Sequence, residues 1–327
     1  MFIHRIRFGV LVCLLLFSEI ASGQVYRFRN YGIENDLPSE VVYTLVQDNN
    51  GYLWVGTSDG LARFDGFSFF RLSFRDSSDL RYPTVSMRDS RGILWFGCND
   101  GTLFHASGNE LQETVLPGSS GSGISTLLEG SDGAIYVISQ RMPLFVVDPD
   151  NPGEGRMIES EADPAMFSAA IASSGELLIG TQENMLVCRI EGNTLVIKNT
   201  IEGFDYSRVM SITPVKDGKD FMVGTDGNGL YHYRHSGETG TLSRFGGSEL
   251  PESLPVRSVM RDSHNNFWIS TSGYGAARIK LNADGNSIVS LRFLDKSAGL
   301  EGEYVMTALK TRKRISGSAL TATVFPS

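Results

Sequence analysis

The chain has 327 residues, 41% of them hydrophobic, and a formal net charge of −8. That apolar share over that length can bury a sizeable core, and the acidic balance argues against a nucleic-acid partner, which would want a basic stripe. Three cysteines are too few for a disulfide-stapled scaffold.

At the N-terminus, His4, Arg5 and Arg7 form a basic region, Phe8 to Phe17 an apolar one, and Ala21-Ser22-Gly23 a small-residue cleavage site. This pattern predicts a signal peptide over residues 1–23, a mature chain beginning near Gln24, and export. The apolar run is shorter than the roughly 20 residues that a membrane span needs, so an uncleaved anchor is the lesser alternative. Cys13 leaves with the leader, and Val12 before it is too bulky for the usual lipoprotein cleavage site. Cys98 and Cys188 fall in segments that are not neighbours and read as small core hydrophobes rather than a bridge.

Beyond the leader, one short pattern recurs. Leu53-Trp54-Val55-Gly56-Thr57 is followed by copies centred on Trp95 and Gly97, on Tyr136, on Leu178 and Gly180, on Met222 and Gly224, and on Trp268. The steps between the aromatic positions are 41, 41, 42, 44 and 46 residues. That period, with short alternating apolar segments, predicts one four-stranded propeller blade per copy. The first copy is the clearest. Val41 to Val46 is an inner strand, and Asp48-Asn49-Asn50-Gly51 is a turn whose Asn-Gly supplies a positive-φ pair. Leu53 to Thr57, Leu61 to Phe64 and Phe67 to Phe70 complete the meander. The aromatic position is expected to wedge between adjacent sheets, with stacking on a sugar as the alternative; repetition favours packing. Six full copies run to about Leu294 and another begins at Gly299-Leu300. With Val25 to Arg29 as a borrowed outer strand, the expectation is an all-β, seven-bladed propeller with six complete blades and an incomplete seventh.

Asp-x-x-Gly-x-Leu-Trp-x-Gly-Thr-x-x-Gly-Leu, standing here from Asp48 to Leu61, resembles the two-component regulator propeller repeat. The lead-in Gly32 to Ser39 and the trailing Arg63 to Phe69 match it as well, and the resemblance extends over residues 25–309, weakly in the third and fourth copies. It implies the periplasmic sensor part of a bacterial hybrid two-component sensor histidine kinase, with an oligosaccharide as ligand, and allows a homodimer in the intact protein. In that family a second propeller, a β-sandwich, a membrane helix and a kinase core usually follow. The sequence shows no second hydrophobic span, phospho-accepting His box or Gly-rich ATP lid. The chain is therefore read as a non-enzyme without cofactor, its membrane contact left to downstream segments or an uncleaved leader.

After Leu309 the pattern breaks. The reading divides the chain into a leader over 1–23, a propeller sensor domain over 24–309 and an aberrant tail over 310–327. Codons for Ile315 to Phe325 can be chosen so that a shifted frame spells another Trp-Phe-Gly-Thr copy, so a frameshift and a truncated product are expected. An unfinished ring would leave apolar inter-blade faces and strand edges open.

The loops at Asp48, Asp89 and Asp262 could be read as calcium sites, but they lack the alternating carboxylates of a dedicated one and are explained as hairpin turns. His232 and His235, three apart on or just past one strand, face opposite sides and do not form a joint metal site. No metal site and no catalytic residues are expected, and ligand-contact residues are left open. Three function classes remain: a ligand sensor first, then a propeller enzyme resembling the streptogramin lyases, then a protein-binding scaffold. The structural residues of the repeat are Trp54, Gly56, Trp95, Gly97, Tyr136, Gly180, Gly224 and Trp268.

Overall fold

The computed structural model describes residues 28–72, 81–107, 110–119, 121–141, 143–160, 162–245, 250–300, 302–311 and 320–325. The leader and residues 25–27 lie outside them. Short alternating segments cut by glycine turns give antiparallel meanders throughout. The first blade is β1 (Val42–Gln47), β2 (Leu53–Thr57), β3 (Gly60–Phe64) and β4 (Phe69–Leu72). The second is β5 (Pro83–Arg88), β6 (Leu94–Cys98), β7 (Leu103–Ser107) and β8 (Glu110–Thr114). The third is β9 (Ile124–Glu129), β10 (Ile135–Ser139), β11 (Leu144–Val147) and β12 (Gly155–Ile158). The fourth is β13 (Ser168–Ile171), β14 (Leu177–Gly180), β15 (Met185–Glu191) and β16 (Thr194–Ile201). The fifth is β17 (Val209–Lys216), β18 (Asp220–Thr225), β19 (Leu230–Ser236) and β20 (Thr239–Arg244). The sixth is β21 (Val256–Arg261), β22 (Asn266–Thr271), β23 (Ala276–Leu281) and β24 (Ile288–Leu294). Each sheet pairs its strands in chain order.

The architecture is an all-β propeller of six blades, which corrects the expectation of seven. The remaining strands, β25 (Tyr304–Lys310) and β26 (Leu320–Phe325), form only a two-stranded ladder. A blade is a four-stranded meander, and a lead-in with one inner strand does not make one. No strand is borrowed from Phe28 or Arg29 either, because residues 28–30 are not in a strand. Phe28 packs instead against Ala276, Leu300 and Val305.

The faces that an unfinished ring would expose are covered. Leu309 packs on the core of the first blade, built from Leu45, Leu53, Val55 and Phe64. On the other side β25 lies against β21 and β22, and Trp268 is 5% exposed. Between successive blades lie continuous apolar layers, such as Val46, Trp54 and Leu61 against Leu94, Phe96 and Phe104. Alternation along the second strand of each blade sends one set of side chains to the preceding blade and the other set to the next. The first turn differs in detail from its expectation: Gly51 has φ 95°, while Asn50 is not among the positive-φ residues. In the sixth blade Asn265, at φ 60°, takes the corresponding place.

Candidate functional site

The repeated residues belong to the packing between blades. Trp54 and Trp95 are fully buried, Trp268 nearly so, and Tyr136 is half-buried against the third–fourth blade layer. Each indole Nε1 donates to the carboxylate at the start of its own hairpin turn: Trp54 to Asp48 Oδ2 at 3.1 Å, Trp95 to Asp89 at 3.0 Å, Trp268 to Asp262 at 3.0 Å. The other oxygen, Oδ1, accepts two backbone N–H groups in every case, as Asp89 does from Arg91 and Ile93. Where the aromatic position holds Tyr136, Leu178 or Met222, the residue six before it is Gly130, Ala172 or Lys216. The acid is there to satisfy the indole and the turn. With their lone pairs directed to these donors, the three carboxylates are committed to structure.

Gly56, Gly97, Gly180 and Gly224 admit the next blade. A Cβ on Gly97 would stand 2.6 Å from Ile124, one on Gly56 3.0 Å from Pro83, one on Gly180 2.6 Å from the Val209 carbonyl, and one on Gly224 2.4 Å from Val256. All four neighbours begin the following blade's inner strand.

His232 and His235 do point apart. His232 Nε2 meets Asp220 Oδ1 at 3.0 Å and its ring packs on Phe245. His235 crosses to the fourth blade, 3.3 Å from Glu176 Oε2. Among the described residues no three His, Cys, Asp or Glu side chains are grouped as metal ligands. Cys98 and Cys188 are buried free thiols, and burial pushes both pKa values up, that of Cys188 to about 12.

A second periodic feature creates a site. In five blades the register between the first two strands slips by one residue at the same place, leaving Tyr43, Thr84, Ser125, Met210 and Arg257 as the extra residue of a β-bulge. In the fourth blade the ladder opens at Ser168, and Phe167 holds that position. All six are half-buried, while the residue before each is buried. An inner strand is covered by its partner on one edge and faces the axis on the other, so each bulge sits at the axial edge of its blade. There the Thr84 hydroxyl donates to the Gly97 and Ile124 carbonyls and the Ser125 hydroxyl to that of Ile138.

This happens at the end where the inner strands begin. Several turns between second and third strands are tied there, as by Ser58 N–H to the Val41 carbonyl and Asn99 N–H to that of Tyr82. The Tyr43 and Tyr82 rings stack at 4.9 Å between centroids and 17° between planes. Burial, aided by the Tyr82 hydrogen bond, raises the Tyr43 pKa, so its phenol stays neutral. Arg208 lies over Phe167 at 5.5 Å, bonds to Gln182 Oε1 and sits 4.0 Å from Asp226. Arg257 Nε donates to Ser272 Oγ at 2.6 Å. Tyr206 and Tyr274, 86% and 40% exposed, stand on loops at the same end. Half-exposed aromatics interleaved with guanidinium groups suit a polar ligand with an apolar ring face. His105, His232, His235 and His264 lie on third strands or on the opposite turns, away from this mouth.

An open cleft of about 780 Å³ lies at the opposite end, beside Arg91, Asp148, Asp150 and Arg156. There Arg91 is paired with Asp150 and Arg156 with Asn193, so its cations are already engaged. The mouth was missed in the sequence because none of its residues repeats. The available signal was one variable position, recurring at the blade period inside otherwise buried inner strands.

Residues 36–59, spanning the lead-in, β1 and β2, match the family model described as two component regulator propeller. No curated protein matches the chain in sequence. Among solved structures, the extracellular domain assigned to a hybrid two component system, BT3049 from B. thetaiotaomicron, is similar with a TM-score of 0.68 at 16% identity. The match covers 90% of this chain and 40% of that one, so this chain spans well under half of that domain. A streptogramin B lyase gives 0.66 at 12% identity over 88% of this chain and 92% of its own. YCF48 from Cyanidioschyzon merolae gives 0.63 at 12% identity, covering 84% and 91%. At such identities these likenesses show the fold. Residues 36–59 thus match the two component regulator propeller repeat, and they open a ring of six four-stranded blades.

Proposed function

We propose that this chain is an exported, ligand-sensing propeller of a two-component signalling system, and that its ligand is an oligosaccharide held at the axial mouth. The observation that carries this reading is the stacked Tyr43–Tyr82 pair beside the bulge positions. A sugar ring offers an apolar C–H face to such a platform and hydroxyls to the surrounding polar groups. The family match supports the signalling role, with phosphotransfer belonging to a kinase part beyond this chain. Periplasmic placement and assembly as a homodimer of the intact protein belong to the same proposal. Isothermal titration of the mature chain against a panel of glycan fragments tests it. Binding by at least one fragment is expected, with loss in Tyr43→Ala. Silence across the panel, or turnover of any fragment, would overturn it.

A further inference from the structure

The arginines at the mouth are not equivalent. Arg81 bonds Asp100 at 2.7 Å, Arg141 lies 3.8 Å from Asp163, and Arg208 is held by Gln182 and Asp226. Among the described residues, Arg257 has no carboxylate at ion-pair distance, although the chain as a whole is acidic. It occupies the bulge of the sixth blade, half-buried and preceded by buried Val256. Its Nε–H is used by Ser272 Oγ, which fixes the guanidinium plane and leaves both Nη groups. Tyr304, whose backbone bridges that of Ser272, is 46% exposed.

A partly desolvated guanidinium held by a neutral hydroxyl is a fixed fork for two oxygens of one anion. We infer that Arg257 reads an anionic substituent, a carboxylate or a sulfate, on the saccharide bound at the mouth. The inference rests on the oligosaccharide reading and names its ligand class: acidic rather than neutral sugars.

The experiment compares matched pairs by isothermal titration of the full chain. One arm uses galacturonate di- and trisaccharides against their carboxyl-reduced neutral twins; the other uses sulfated galactose oligosaccharides against their desulfated twins. In at least one arm the anionic member is expected to bind about tenfold tighter or more, as a hydrogen-bonded charge pair implies. The difference should shrink as salt rises. Arg257→Gln should remove the discrimination between the twins, while Arg257→Lys, a point charge without the fork, should keep part of it. Equal affinities within both pairs of the unaltered chain would sink the inference while sparing the oligosaccharide reading. Discrimination that survives in folded Arg257→Gln would also sink it. If no member of either pair binds, this inference fails, and the broader reading falls only if the wider fragment panel is silent too.

Discussion

A buried indole N–H without an acceptor costs about as much as any other stranded polar group, so each interior tryptophan of this propeller comes with its own carboxylate. Trp95 and Asp89 are 0% and 4% exposed, and the same acid holds two backbone N–H groups of its turn. Asp89→Ala is therefore expected to lower stability by about 1–3 kcal/mol, read from urea unfolding midpoints. Trp95→Phe in that background should cost measurably less than in the unaltered chain, because the indole then has no bond to lose. Additive losses would mean that the hydrogen bond is incidental. The pairing was written in the sequence as an aspartate six residues before each tryptophan, absent where tyrosine, leucine or methionine takes the tryptophan's place. It could not be read there as a bond. A turn aspartate has a sufficient local explanation, and only the fold brings the indole back over it.

At the level of strands, the chain encodes two periodic devices and declares only one. The Trp-x-Gly position is legible because packing against a like neighbour demands like residues, so it repeats in kind. Its glycines mark where the next inner strand presses in. Gly224→Ala would place a Cβ 2.4 Å from Val256 Cγ1, and an overpacking loss of roughly 1–3 kcal/mol is expected. Trimming the neighbour, in Gly224→Ala with Val256→Ala, should cost less than the two separate losses combined; calorimetric melting of the four variants decides. The bulge is the undeclared device. It is a slip in register between two strands, visible only once they are paired, and the residue it presents changes from Tyr43 to Thr84 to Arg257. Variation there is what a ligand surface requires and what a search for repeats discards. The seventh blade failed for a related reason: Leu300 and the strand from Tyr304 carry the repeat's opening pattern, yet strand count is set by pairing.

Across the whole ring, stability without disulfides rests on these inter-blade layers, and buried ionisable groups set its dependence on pH. His105 and His232 are buried, and desolvation lowers both pKa values against opposing help from Gln112 and from Asp220 respectively. The unfolded chain then binds more protons than the folded one below the ordinary histidine value of about 6.5. Their contribution is complete above that pH and is lost as pH falls toward the lowered folded values. Asp262 and Glu176 titrate later. For Asp262, burial raises the pKa, but hydrogen bonds from Asn266, Trp268 and the turn outweigh it and bring it to about 2. Glu176, also opposed by burial, is brought to about 2 by Ser174, Arg189 and His235. Both carboxylates stabilise fully above their ordinary range near 4 and lose that contribution between about 4 and 2. Urea midpoints should therefore be level between about pH 7 and 8, decline once below 6.5 and again below 4. His232→Gln should flatten part of the upper decline, and Asp262→Asn part of the lower one, where the shifted carboxyl alone is worth about 2 kcal/mol. A midpoint that holds steady from pH 7 to 5, or rises on acidification, would show that the buried imidazoles are not kept neutral by the fold.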